Sequence, residues 1–280
     1  MTDIKQTLKH GHQTLKSKSP TARLDAEVLL AHALSTSRTF LYTYPEKEVS
    51  LHQLETFQGL LDKRSEGVPI AYLTGVREFW SLPIKVSKDT LIPRPETELL
   101  VDLTLTLLAN IQNATLLDLG TGSGAIALAL ASARSDWQLY ATDISQAALQ
   151  VASDNARILK LSNVKWLCSD WFSSVPNRPV HAILSNPPYI KSNDPHLTQG
   201  DVRFEPIDAL ISGEDGLDAL TGIIQKSDEK LLPGGLLLLE HGYHQGLAVT
   251  TMLIKQGYER VTTWQDAQGH DRVSGGWRKK

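Results

Sequence analysis

From about residue 113 onward the chain alternates short apolar runs with longer helix-patterned segments, and this alternation limits the fold more than any other feature. The runs lie at 115–119, 138–142, 164–168, 182–184, 236–240, 260–264 and 272–277. The apolar ones are continuous, as strands are when helices cover both faces of their sheet. Between them, 125–133, 146–159 and 217–230 have helical length and pattern. Repeated strand and helix make an α/β fold with a doubly wound, mostly parallel sheet. The last two runs are close in sequence and are expected to form an antiparallel edge pair.

Residues 1–78 have a different character and are expected to form a small all-α amino-terminal domain. Ser19-Pro20 is a good helix start, because proline suits a first turn where no amide bond is lost. Leu24, Val28, Ala31 and Leu34 follow at helical spacing. Ser50-Leu51-His52-Gln53 has the capping-box pattern ahead of Leu54, Phe57, Leu60 and Leu61. Gly67 and Pro69 end that helix. Residues 79–95 are expected to be a β-hairpin connector. Phe79, Trp80, Leu82, Ile84 and Val86 suit a strand, Ser87-Lys88-Asp89-Thr90 a turn, and Leu91-Ile92 the return strand. Pro95 then opens a helix whose first turn holds Glu96 and Glu98, the charge its dipole favours. The larger domain runs over 96–280.

Composition excludes several classes. The single cysteine, Cys168, rules out an internal disulfide and a cysteine-built zinc site. The histidines are scattered, so no metal site is expected. Lys and Arg number 28 against 31 Asp and Glu, a net charge of −3. A nucleic-acid-binding domain usually has a pI above ~9; here it is about 6.3. No direct nucleic-acid partner is expected. No apolar run approaches the ~18 residues of a membrane span. The start, Met1-Thr2-Asp3-Ile4-Lys5-Gln6, has no apolar signal region. No membrane partner and a cytoplasmic location are therefore expected.

Four constellations carry chemistry. In Leu116-Leu117-Asp118-Leu119-Gly120-Thr121-Gly122-Ser123-Gly124-Ala125 an apolar strand runs through glycines into a helix. Glycines let a backbone turn sharply and approach a ligand. The spacing is neither that of dinucleotide binding nor a P-loop. The alternative is a tight turn with no ligand. Asp143 ends a strand about 20 residues later, where a carboxylate can accept both hydroxyls of a ribose; otherwise such an Asp caps the next helix. Ser169-Asp170-Trp171-Phe172 follows the third strand. There Trp171 can cover an adenine face and Asp170 can accept from its amine, or Trp171 is simply core.

The sharpest signal is Asn186-Pro187-Pro188-Tyr189, directly after His181-Ala182-Ile183-Leu184-Ser185. Two prolines fix the backbone and remove two amide donors, leaving carbonyls outward. Asn186 adds an acceptor oxygen, and Tyr189 offers a face for a flat group. A rigid set of acceptors suits an uncharged NH2 group. The alternative is a plain polyproline turn.

Together, Asp-x-Gly-x-Gly-x-Gly, Asp143 and Asn-Pro-Pro-Tyr resemble a class I, Rossmann-like S-adenosylmethionine-dependent N-methyltransferase. Gly75-Val76-Arg77-Glu78-Phe79-Trp80 and Leu91-Ile92-Pro93-Arg94-Pro95-Glu96-Thr97-Glu98 narrow the resemblance to the HemK/PrmC family. That family methylates the side-chain amide of glutamine in the Gly-Gly-Gln motif of peptide chain release factors, in support of translation termination. Asp201-Val202-Arg203-Phe204-Glu205-Pro206 and Leu239-Glu240-His241-Gly242 also match. The resemblance implies that Gly120, Thr121, Gly122, Ser123 and Gly124 cradle the methionine part of S-adenosylmethionine, which leaves as S-adenosylhomocysteine. It implies that Asp143 holds the ribose and Trp171 the adenine. Asn186, Pro187, Pro188 and Tyr189 would hold the substrate glutamine. Asn186 would also lie beside the cofactor's methyl group, with Asn186 and Pro187 catalytic. The helical domain would help to grip the release factor, and a monomer is expected.

An amide nitrogen is a poor nucleophile, because its lone pair is delocalised into the carbonyl. Holding its NH2 by the Asn186 oxygen and the Pro187 carbonyl orients it, and positioning of this kind reaches ~7–11 kcal/mol in well-aligned cases. No strong base is required. The same motif serves DNA adenine methyltransferases and ribosomal-protein glutamine methyltransferases, and a non-catalytic cofactor-binding adaptor is a third rival. The acidic balance disfavours DNA. Residues 191–208 are long for a strand-to-helix connection, so a lid or docking surface is expected there.

Overall fold

Helical spacing in the first quarter of the chain produces helices whose apolar faces meet. The structure is a computed structural model and describes residues 2–280. Its first unit runs to Val76 and also takes His196–Phe204. In order it contains β1 (Thr2–Asp3), α1 (Ile4–Leu15), α2 (Ala22–Ala33), α3 (Arg38–Thr43), β2 (Glu48–Val49), α4 (Leu51–Ser65) and α5 (Ile70–Thr74). β1 and β2 pair antiparallel. Ile4, Leu15, Leu29, Leu30, Phe57 and Leu61 form the buried core.

Both halves of the expected capping box are made at Ser50 and Gln53. α2 begins at Ala22, slightly later than Ser19-Pro20 suggests. The Ser19 and Thr21 hydroxyls are committed to the Asp25 carboxylate, at 2.7 and 2.8 Å. The same carboxylate pairs with Arg64 at 2.7 Å. Arg64 also holds Asp201 at 3.2 Å, and Arg203 donates to the Glu66 carbonyl at 2.6 Å. These bonds fasten His196–Phe204 to the helical unit.

The second unit starts at Arg77, inside a hairpin of β3 (Val76–Phe79) and β4 (Leu82–Lys85). This corrects the sequence expectation, in which one strand ran from Phe79 to Val86. Trp80 and Ser81 have φ of 49° and 61° and turn the chain in two residues. Consecutive positive φ values suit the right-handed twist of paired strands. Ser87 to Thr90 do make a turn, with a 3.0 Å backbone bond, but Leu91-Ile92 is not a strand. Pro95–Thr97 is a 3-10 turn leading into α6 (Glu98–Leu107).

Then follow β5 (Thr115–Leu119), α7 (Ala125–Ala133), β6 (Gln138–Asp143), α8 (Gln146–Leu159), β7 (Val164–Cys168) and β8 (Val180–Ser185). The chain ends with α9 (Asp218–Ser227), β9 (Leu231–Glu240), α10 (Gly246–Lys255), β10 (Glu259–Gln265) and β11 (Asp271–Trp277). The sheet order is β10-β11-β9-β8-β5-β6-β7. β9, β8, β5, β6 and β7 are parallel, and β11 pairs antiparallel with both β9 and β10. Leu117, Leu119, Ile183, Leu237 and Leu239 pack with Leu220, Ile223, Val249 and Leu253 of the covering helices. After β5 the chain moves first to β6 and β7, then back to β8 on the other side of β5. Ligands of such sheets bind beyond the strand carboxyl ends at this reversal. Among the described residues, no helix is long and apolar enough to cross a membrane.

Candidate active site

The parallel strands bring the carboxyl ends of β5, β6, β7 and β8 to one side. The loops leaving those ends enclose a cavity of about 450 Å³. Gly120 and Gly122 line it after β5, Asp143 and Ile144 after β6, Asp170 and Trp171 after β7, and Asn186 and Pro188 after β8. Thr90, Leu91, Pro206 and Asp208 complete the wall. A volume of this size lies within the ~300–1,000 Å³ range of small-molecule sites.

The glycine loop needs its glycines. Gly120, Gly122 and Gly124 have φ of 68°, 55° and 83°, values that other residues adopt only with strain. A side chain on Gly124 would also press within 3.0 Å of Trp166. Thr121, Ser123 and Gly124 do not line the cavity. They shape the loop. Thr121 donates its hydroxyl to Asp118 at 2.6 Å, and the Ser123 carbonyl accepts from Asn155 at 2.9 Å. Asp118 is fully buried, and its Oδ1 has no hydrogen-bond partner. Burial, with the Asp143 charge nearby, pushes its pKa up to about 7.

Asp143 accepts from the Gly122 amide at 2.8 Å and from the Ser145 amide at 2.9 Å. It therefore braces the glycine loop as well as facing the cavity. The helix-cap role falls to Ser145, whose hydroxyl accepts from Ala148. Each Asp143 oxygen keeps a second lone pair for a hydroxyl donor. Trp171 lies beside Gly120 and has φ of 47°. Asp170 is exposed on the same wall.

Ser185 ends β8 by donating to the Leu119 carbonyl at 2.7 Å, which ties the next residues to the glycine loop. Asn186 then directs its Nδ2 to the Thr97 hydroxyl at 3.1 Å. Pro187 is buried, and Pro188 reaches the cavity. Tyr189 is not on the cavity wall. Its hydroxyl lies 3.4 Å from Glu240 Oε1, and its carbonyl accepts from Gln245 at 3.1 Å. Burial and the Glu240 charge push the tyrosine pKa upward. Glu240 is buried at the end of β9, and desolvation raises its carboxyl to about 7. Next to it, His241 bonds Ser274 at 2.8 Å and is held toward the neutral form by burial. Among the described residues no three metal-binding side chains cluster.

Sequence reasoning assigned no role to Asp118, Thr97 or Glu240, although all three lie inside quoted motifs. It also missed the wall contributed by Thr90, Leu91, Ile144 and Pro206. Ile144, directly after the end of β6, is a large apolar residue left 68% exposed.

Residues 6–75 match the PrmC N-terminal domain family model, and residues 96–201 match that of the methyltransferase small domain. A release factor glutamine methyltransferase of Shewanella oneidensis is 47% identical over 98% of this chain and 95% of its own. Its namesake in Escherichia coli is 48% identical over 94% of each chain. Among solved structures, a methyltransferase from Pyrococcus furiosus has a TM-score of 0.54 at 16% identity, covering 80% of this chain and 98% of its own. That last likeness shows the fold, a class I methyltransferase sheet.

Proposed function

The chain belongs to the release factor glutamine methyltransferase family, and on that premise we propose that it methylates the side-chain amide of the glutamine in the Gly-Gly-Gln motif of peptide chain release factors. One observation carries the reading. Asn186 and Pro188 share a single cavity wall with Gly120, Gly122, Asp143 and Trp171. An acceptor for an amide, Asn186, and a pocket for a nucleoside-sized molecule therefore meet at one place.

The residues present fit S-adenosylmethionine. The Asp143 lone pairs suit ribose hydroxyls, the Trp171 ring suits adenine, and Asp170 suits an exocyclic amine. Gly122 leaves open space where a side chain would intrude. When bound, S-adenosylmethionine supplies an electrophilic methyl group. The protein's part is to hold the amide nitrogen. The Asn186 oxygen and the Pro187 carbonyl accept its two N–H groups, orient the nitrogen and favour a pyramidal geometry. A methylated amide nitrogen bearing a positive charge loses its proton readily, so no strong base is needed at this site. We assign grip on the release factor to the helical domain over residues 1–78, and we read the protein as a cytoplasmic monomer.

Purified protein incubated with labelled S-adenosylmethionine should label a release factor and leave duplex DNA and ribosomal proteins unlabelled. Asn186→Ala should cut turnover by about 10²–10³, the effect of losing one preorganised polar contact. Turnover within a few-fold of wild type, or label on DNA, would overturn the reading.

A further inference from the structure

Two stretches of sequence, Pro93-Arg94-Pro95 and Glu205-Pro206, take no part in the chemistry proposed above. An ion pair joins them. Arg94 donates from Nη2 to Glu205 Oε2 at 2.7 Å, across 111 residues of chain. The Glu205 side chain has no exposed surface, and that of Arg94 is 31% exposed. A carboxylate taken out of water needs a partner of opposite charge, and removing that partner is strongly unfavourable. Prolines on both sides stiffen the chain around Arg94, which is extended at φ −95° and ψ 143°, the region favoured before a proline. The guanidinium is thus presented from a rigid segment.

Both partners adjoin the cavity. Thr90 and Leu91, shortly before Arg94, line it, and so do Pro206, Asp208 and Ala209, directly after Glu205. The second stretch lies outside the sheet. Its own structure is one 3-10 turn, Ile207–Ala209, with backbone bonds of 3.0 Å from Ala209 to Pro206 and from Leu210 to Ile207. At its far end Ile190 holds it, donating to the Leu210 carbonyl and accepting from the Ser212 amide, both at 2.9 Å. Ile190 directly follows Asn-Pro-Pro-Tyr. The wall is therefore tied to the substrate motif by backbone at one end, and to the proline-flanked segment by a side-chain ion pair at the other.

We propose that Arg94 and Glu205 are positioning residues, a latch that holds the 206–209 wall in place and so sets the width of the site. The kinetic consequence rests on the function proposed above. Transfer between two bound groups depends steeply on placement, and a shift of ~1 Å can cost about 10²-fold. A latch and a merely structural pair differ in where the effect of breaking them falls.

The test compares three variants. Arg94→Lys keeps the charge and a donor. Arg94→Met keeps an unbranched stem and loses both. Glu205→Met removes the acceptor and leaves no buried charge, so it guards against a variant that fails to fold. In Arg94→Met and Glu205→Met the Ala209 and Leu210 amides should exchange with solvent about tenfold faster or more, as a local opening. Exchange in β5 and β8 should not change. The kcat of both variants should fall by about 10–100-fold, and calorimetry should show S-adenosylmethionine affinity weakened several-fold. Arg94→Lys should stay within a few-fold of wild type in every readout. Unchanged exchange at Ala209 and Leu210 would overturn the proposal, as would a rise shared equally by β5 and β8. So would faster exchange with kcat intact, or an Arg94→Lys variant no better than Arg94→Met. If wild type transfers no methyl group, the functional reading fails, while exchange and cofactor affinity still decide the latch.

Discussion

Asp118 holds a carboxyl at full burial with one hydroxyl donor and one oxygen that has no hydrogen-bond partner. Its pKa rises from 3.8 to about 7, first through desolvation and then through the Asp143 charge. A raised carboxyl pKa means that the folded protein keeps a proton that the unfolded chain has lost. The associated stability is complete below the unfolded value and is lost as pH rises toward 7. Glu240, raised from 4.5 to about 7, acts in the same direction. We therefore expect the urea midpoint of the ligand-free protein to fall between pH 5 and pH 7.5. Asp118→Asn should reduce that fall, by on the order of a few kcal/mol in stability at most. His241, depressed by burial, works oppositely, but it is common to both proteins and cancels in the comparison. An unchanged pH dependence in Asp118→Asn would refute this assignment. Asp143 and Asn186 stand at strand ends that the sequence pattern locates, and both line the cavity. The pattern does not single out Asp118 and Glu240, because an acidic residue at a strand end shows its burial only when neighbouring strands and helices are in place.

Asn155 on α8 joins elements that are far apart in sequence. Its side chain exchanges bonds with the Lys85 amide and carbonyl, at 2.8 and 2.9 Å, and donates to the Ser123 carbonyl at 2.9 Å. One side chain thus fixes the end of β4 and the glycine loop together. Asn155→Ala leaves these backbone groups unpaired in a site only 1% exposed. It should destabilise the protein by about 2–3 kcal/mol. It should also weaken S-adenosylmethionine binding several-fold by calorimetry, although Asn155 does not line the cavity. Unaltered melting and affinity would refute the brace. The strands and helices around the glycine loop were legible because their apolar runs are short, continuous and separated by turn residues. The hairpin was misplaced by a few residues. Trp80 and Ser81 take positive φ values that favour Asn and Gly elsewhere, so the turn carries no local signature. Ser87 to Thr90, which has one, leads only to irregular chain.

At the scale of the whole molecule, 280 residues resolve into a helical unit and a larger α/β unit. The sequence pattern changes near residue 79, and the first unit runs to Val76. The allocation of His196–Phe204 to the helical unit is not visible in that pattern. Its anchors are Arg64 and the Glu66 carbonyl, each 137 residues from its partner, and no local pattern encodes a bond of that span. In the sequence, only the length of 191–208 sets this connection apart. The net charge of −3 has a specific meaning beside the Asn-Pro-Pro-Tyr motif, since it favours a protein amide over a DNA base as the NH2 group received. The most direct test is mass spectrometry of release factors isolated from cells lacking this protein. The account predicts that the peptide containing Gly-Gly-Gln is lighter by one methyl group on glutamine, and that wild-type protein restores the methyl group while Asn186→Ala does not. A fully methylated glutamine in the deleted cells would contradict it.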